Sequence, residues 1–343
     1  MKQIKKFLQV VLPLAMAGLL FWWVYRDWDF NALVKAFSSG VHYEWFFVSL
    51  LLSILSMVLR GLRWHQLVEP VCPGGRKTVT ILSIFVGYAA NMLLPRAGEV
   101  ARCGILAKTD GLSFTKTLGT VITERVFDVI CLLFITVLAV FLQVDVFRDF
   151  FRNNPESMSK LQHIVTSPFL WGGALALILA FLLWRKRIQK MPFYSKIWGL
   201  LLRLWEGMKS ITTMKHPLLF LFYSIAIWGC YFLMFCIVKY FFTWNMPLGV
   251  LALLSGFVMG SFGVVAPVQG GIGAYHFMVI YTLVFFGVSS SDAGIFALVA
   301  HGLQTIFTLV GGLIAYLLVL FIEKKTRQQA SKVSNGLPHS AEA

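Results

Sequence analysis

Apolar runs of 16 to 30 residues recur along almost the whole of this 343-residue chain. A soluble fold of this size has no interior able to take them all, whereas a bilayer accepts them as spanning helices. The candidate spans are Phe7–Val24, Trp45–Leu62, Val79–Leu94, Leu118–Leu142, Phe169–Trp184, Leu218–Val238, Leu248–Ala266, Gly271–Phe286 and Ala293–Ile322. Charge is correspondingly scarce, at 13% of residues against about 25% in soluble domains. The expectation is an all-α polytopic membrane protein with a single transmembrane domain over residues 1–322. Its first half covers about 1–184, an amphipathic connector 185–216 and its second half 217–322, with a disordered cytoplasmic tail over 323–343.

The net charge of +15 does not point to nucleic acid, because the cations sit between the apolar runs. Lys2, Lys5 and Lys6 ahead of Phe7 resemble the start of a signal peptide. The run continues through Trp22 and Trp23 to Arg26, however, as an uncleaved first span would. The five cysteines show no metal-site spacing and read as small packing residues.

Two spans are short and adjoin a Pro/Gly break. The first break is Pro95 with Gly98, and the second is Pro267 with Gly270, Gly271 and Gly273. Paired breaks, one in each half, are a sequence pointer to a transport site. If each break is the tip of a re-entrant hairpin, 23 Lys and Arg residues fall on the cytoplasmic side and 6 outside. A full crossing at Val79–Leu94 would instead send Arg185-Lys186-Arg187 outward, against the positive-inside bias. The architecture expected is therefore an inverted-repeat-like bundle of about 6–9 membrane helices with two Pro/Gly-broken re-entrant hairpins, both chain ends being cytoplasmic. For Leu248–Phe286, two full crossings give the same parity. Asp29–Phe37 and Lys196–Ile211 have amphipathic spacing suited to interfacial helices, Asp29 being placed as a cap.

Charge within an apolar span is expensive and marks a site. Glu124, Arg125 and Asp128 lie inside Leu118–Leu142, and Glu124 and Asp128 share a helix face. They either contact substrate or a proton, or form an internal ion cluster with Arg96, Glu99 or Arg102 of the first hairpin. Pro95 suits the first turn of a new helix, whose free N–H groups together with Arg96 and Arg102 would attract an anion. The second hairpin is uncharged and offers Gln269, three glycines and His276, with His301 and Gln304 on the last span. Arg60, Arg63 and Trp64 close the second span and read as side chains snorkelling to the cytoplasmic interface. There is no G-x-x-x-x-G-K-S/T, H-E-x-x-H or G-x-S-x-G sequence, so neither nucleotide-driven transport nor enzyme chemistry is expected, and no cofactor or metal is implied.

Four motifs in order resemble the flippase-like integral membrane family that corresponds to the transmembrane region of lysylphosphatidylglycerol synthase. They are Arg60-x-x-Arg63-Trp64, Asn91-x-x-x-Pro95-Arg96-x-Gly98-Glu99-x-x-Arg102, Glu124-Arg125-x-x-Asp128 and Pro267-x-Gln269-Gly270-Gly271-x-Gly273. The resemblance covers about residues 5–325 and implies movement of modified phospholipids or related lipid-linked molecules between leaflets. In the synthase this region precedes a soluble aminoacyl-transfer domain. This chain ends about twenty residues after its last span, so lysyltransferase activity is not expected. Ala274-Tyr275-His276 stands where the family often has an acidic residue.

The function expected is a lipid translocase of the cytoplasmic membrane, with a membrane lipid as substrate and a separate lipid-modifying enzyme as a conceivable partner. Arg96, Arg102 and Arg125 would hold a headgroup phosphate, while Glu124 and Asp128 would receive a cationic headgroup moiety or a proton. A proton-coupled transporter of a small anionic solute, a membrane enzyme acting on lipid-linked sugars and an accessory protein of the cell envelope are the alternatives.

Overall fold

A computed structural model describes residues 2–26, 28–94, 97–144, 215–242, 246 and 248–335, with isolated positions between 159 and 172. The described elements are α1 (Lys2–Tyr25), α2 (Phe30–Ser38), α3 (Tyr43–Val68), α4 (Lys77–Leu93), α5 (Ala97–Asp110), α6 (Phe114–Leu142), α7 (Pro217–Ile237), α8 (Val250–Val265), α9 (Ala274–Phe285) and α10 (Ser290–Asn335). Among the described residues the only β pairing is an isolated bridge between Val41 and Phe242. Residues 133–215 make a compact unit of their own, of which little beyond the end of α6 is described. The remainder of the chain makes the other unit, and it contains the site.

Four helices, at Tyr43–Val68, Phe114–Leu142, Pro217–Tyr240 and Ser290–Thr326, are long and apolar enough to cross a bilayer. Polarity is inverted relative to a soluble protein. Leu218 is 81% exposed and Leu313 61%, whereas Arg63 and Glu124 are fully buried. Hydrocarbon as the surrounding solvent accounts for both, since it welcomes the apolar exterior and forces charge inward to find partners. The protein is an all-α polytopic membrane protein.

Both expected breaks are helix–break–helix hairpins. α4 ends at Leu93, Leu94 is extended (φ −136°, ψ 132°), and α5 returns along α4 from Ala97. Pro95 and Arg96 lie outside the described residues. The return is close because a Cβ on Gly98 would collide with the Gly87 carbonyl oxygen. α8 ends at Val265, a 3₁₀ turn covers Gln269–Gly271, and α9 then packs back on α8. This tip needs glycine: Gly270, Gly271 and Gly273 have φ of 60°, 74° and 81°. With 12 residues, α9 is about 18 Å long and too short to cross alone.

Around the hairpins, α3 packs on α7 and α4, and α10 packs on α4 and α9. On α10, Gly312 lets the Ala89 side chain and the Phe85 carbonyl approach, a small-residue contact typical of membrane helices. Asp29 caps α2 as expected, its carboxylate accepting the Asn31 N–H at 2.9 Å. No residue of α2 is buried. α10 continues past the last apolar span to Asn335, and beyond that span Glu323 pairs with Lys108 (2.9 Å) and Thr326 accepts from Arg76 (3.3 Å). The expected elements at Phe169–Trp184 and Lys196–Ile211 lie outside the described residues.

Candidate functional site: an arginine–carboxylate cluster beside a cavity

On α3, Arg60 and Arg63 are three residues apart and share a face, as do Glu124 and Asp128 four apart on α6. The two faces meet. Arg60 Nη1 donates to Glu124 Oε1 (2.9 Å) and to Asp128 Oδ2 (2.7 Å). Arg63 Nη2 donates to Asp128 Oδ1 (2.6 Å) and reaches Glu124 Oε1 at 3.4 Å. From the first hairpin, Arg102 Nη1 donates to Glu124 Oε2 at 2.6 Å. Glu124 thus has cations on both oxygens and no exposed surface.

Arg125 is the open member of the group. Its side chain is 37% exposed, and it pairs weakly with Asp128 (3.5 Å) and Glu99 (3.3 Å) while donating to the Tyr88 hydroxyl (3.3 Å). Aromatic faces enclose the other cations. The guanidinium of Arg60 lies 5.2 Å from the Tyr88 ring and 5.8 Å from Tyr231, and that of Arg102 lies 4.5 Å from Trp64. Trp64 is held in turn by its Nε1–H bond to Thr120 (3.0 Å).

Arg60 and Arg63 correct the snorkelling expectation. They point into the protein, where α6 places two carboxylates opposite them, so each buried charge has an opposite charge to compensate its lost solvation. Their arrival reverses the local charge. Glu124, Arg125 and Asp128 alone carry −1, but Arg60, Arg63, Arg102 and Arg125 against Glu99, Glu124 and Asp128 carry +1. Donors remain unused as well: Arg63 Nε, Arg102 Nε and Nη2, and Arg125 Nε are buried without a hydrogen-bond partner.

A cavity of about 230 Å³ opens beside this cluster. Its lining combines the polar side chains of Arg60, Tyr88, Arg125, Asp128 and Tyr231 with the apolar Phe257, Val264 and Val265 and the hydroxyl of Ser261 from α8. Trp228, Tyr275 and Gln304 also line it, and Trp228 Nε1 has no partner. Of the residues singled out by sequence as binding candidates, Arg125 and Asp128 reach the cavity, whereas Glu99, Arg102 and Glu124 stand behind it in the cluster. Among the described residues no group of three His, Cys, Asp or Glu could hold a metal.

Of the remaining candidates, Gln269 joins the two tips, while His276 and His301 brace the second. Gln269 Nε2 donates to the carbonyls of Asn91 and Met92, both at 2.8 Å, which α4 leaves free where it breaks. His301 Nε2 donates to the Gly270 carbonyl (2.9 Å), and His276 Nδ1 accepts the Gly273 N–H (3.2 Å). Pro267 precedes this turn, and Gly271 sits against the backbone of Val264. Asn91, which heads the first-hairpin motif but was not among the binding candidates, closes the first tip: Oδ1 accepts the Gly98 N–H (2.7 Å) and Nδ2 reaches Glu99 at 3.4 Å. Arg60, Tyr88 and Tyr231 were missed as cavity residues. The available signal was the match between two cations at i,i+3 in one apolar run and two acids at i,i+4 in another.

Comparison with known proteins places the chain in a family. A UPF0104 membrane protein of Pyrococcus horikoshii is 23% identical over 130 residues, a match that spans 37% of each chain. No solved structure matches. The family model described as the lysylphosphatidylglycerol synthase transmembrane region matches residues 10–312, and so takes in both hairpins, the charged cluster and the cavity wall. The chain belongs to that family.

Proposed function

We propose that the protein is a lipid translocase of the cytoplasmic membrane and moves a lipid with an anionic headgroup between leaflets through the cavity beside Arg60 and Arg125. The observation that carries this reading is a mostly apolar cavity that also presents two guanidinium groups, Arg60 and Arg125, and the hydroxyls of Tyr88 and Tyr231. A phosphate suits these groups, because arginine guanidinium groups and tyrosine hydroxyls supply several donors to its oxygens. The excess positive charge of the cluster favours an anion over a cation. Acyl tails need no shelter from water, since they stay at the depth of the hydrocarbon, while rocking of the two halves about the joined tips alternates access. Membership of a family named for the membrane region of a lipid-modifying enzyme agrees with a lipid substrate, and a separate modifying enzyme would supply it. No covalent step on the lipid is part of the reading.

The structure bears on the roles assigned to the acids. Both oxygens of Glu124 are engaged by arginines, which supports a part in holding the cluster. Asp128 anchors Arg60 and Arg63 at the cavity edge. The test is scrambling of fluorescent phospholipids by purified protein in liposomes. Arg125→Ala should lose most of the activity while the protein remains folded. Wild-type rates in this variant would overturn the site, and absence of lipid movement by the wild-type protein across headgroup classes would overturn the function.

A further inference from the structure

A second cavity, of about 410 Å³, lies between α3, α4 and α10 and is almost wholly apolar. Its floor is buried, at Met57, Phe307 and Thr308, whereas Ile306, Val310 and Ile314 on its rim are exposed. It is therefore a groove open sideways, on a surface that faces hydrocarbon. It also adjoins the charged cavity. Ala300, Leu303 and Gln304 of α10 line the charged cavity, and Ile306 and Phe307, within the next turn, begin the groove. On α3 the two sets interleave in the same way, with Ser49 on the cavity and Phe46 and Leu50 on the groove. Phe46 and Phe307 meet edge to face at 5.2 Å where the groove begins.

We infer that this groove is the binding site for one acyl chain of the lipid whose headgroup occupies the charged cavity. The inference rests on the lipid-translocase reading and extends it to the tail. An aqueous solute cannot enter a groove whose rim lies in hydrocarbon, and an empty groove forfeits contacts on every lining atom. A flexible hydrocarbon chain restores those contacts. One helical turn, about 5.4 Å, separates the two sets of α10 residues, so one molecule can reach both. Gly311 deepens the groove: a side chain there would meet the Phe85 ring, its Cβ at 3.2 Å. Because bulk lipid is as apolar as the groove, the tail gains packing rather than a hydrophobic transfer term. The headgroup then selects the lipid, and the groove sets which way its tail lies.

The experiment uses the full chain in liposomes containing a phospholipid with a photoactivatable diazirine in one acyl chain. Adducts are mapped by mass spectrometry and scrambling is read on the same vesicles. Labelling at Met57, Phe85 and Phe307 should exceed that at the lipid-facing Leu218, Leu221 and Leu317 several-fold. Val310→Trp, which fills the groove from its exposed rim and leaves the floor intact, should reduce labelling at Phe85 several-fold. Equal labelling of groove and outer surface, or labelling at Phe85 unaffected by Val310→Trp, overturns the inference. Scrambling with uniform labelling removes the groove and leaves the translocase reading intact. Groove labelling without scrambling removes the transport reading and leaves a lipid-binding groove.

Discussion

The two hairpins are built alike and held differently. Each breaks near a proline, and each closes where a glycine lies against backbone, Gly98 on Gly87 in the first and Gly263 on Tyr275 in the second. Beyond that they diverge. The first sends Arg102 and Glu99 into salt bridges with α6, whereas the second, among the described residues, is held by neutral hydrogen bonds through Gln269, His276 and His301. A charged clamp in low dielectric is strong but fails badly when one partner is lost. A neutral joint of two hydrogen bonds, those from Gln269 to Asn91 and Met92, is weaker and more easily broken and re-formed. The contrast assigns rigidity to the first hairpin with α3 and α6, and adjustability to the contact between the tips.

The largest effect should follow from removing the centre of the charged clamp. Glu124→Ala leaves Arg60, Arg63 and Arg102 facing one another with a single carboxylate, Asp128, still in place. Loss of one partner from a buried ion pair costs about 3–5 kcal/mol, so this variant should unfold at much lower temperature in detergent or fail to accumulate. If it melts like the wild-type protein, the cluster is not what holds the first hairpin.

Closing contacts come next. Gly98→Val places a branched side chain against the Gly87 carbonyl and should force α4 and α5 apart at a cost of about 1–3 kcal/mol. Gly263→Val meets the Tyr275 backbone, with a Cβ approach of 2.6 Å, and should cost a similar amount. Equal losses would show that the two hairpins differ only in how they are anchored. A far smaller loss at Gly263 would show that the second is also looser within itself. Thermal unfolding of the two variants side by side decides between these outcomes.

What could be read from sequence follows this same division. Spans and breaks were legible because apolar run length, proline and glycine act locally: Leu118–Leu142 lies within α6, and Asp29 caps α2. Partners were not, because they depend on which helix lies opposite. Arg60 and Arg63 at the end of an apolar run look the same whether they snorkel outward or turn toward Glu124 and Asp128. Tyr88, Tyr231 and Trp228 look like ordinary packing residues in an apolar helix until a cavity appears between them. The tip residues had a physical signal that was open to use. A break in hydrocarbon frees carbonyls that need donors, and Gln269 and His301 supply them at the two tips.

The neutral joint gives an intermediate prediction. Gln269→Leu keeps the volume near that of glutamine but removes both donors to Asn91 and Met92, leaving two carbonyls unsatisfied. The expected loss is about 1–3 kcal/mol, smaller than for Glu124→Ala, with a change in transport rate out of proportion to the change in melting temperature. A disulfide placed across the tips would test the same point from the opposite side. If transport requires the tips to part, the oxidised protein should be inactive and recover on reduction. Full activity when cross-linked would mean that the tips stay together throughout the cycle.

The smallest effect on stability should come from the residue with the largest expected effect on transport. Arg125 is the most exposed of the four arginines in the cluster, and its acidic contacts are long, at 3.3 Å and 3.5 Å. Exposed pairs contribute about 0–1 kcal/mol, so Arg125→Ala should melt within a degree or two of wild type. It nonetheless removes one of two guanidinium groups from the cavity wall and leaves the local cluster formally neutral. Arg125→Lys separates the two ways in which the side chain can act. Lysine keeps the charge but cannot make the bidentate contact. Recovery with lysine would mean that the cavity needs only positive potential. Failure with lysine, in a protein as stable as wild type, would mean that a planar donor pair meets the headgroup at this position.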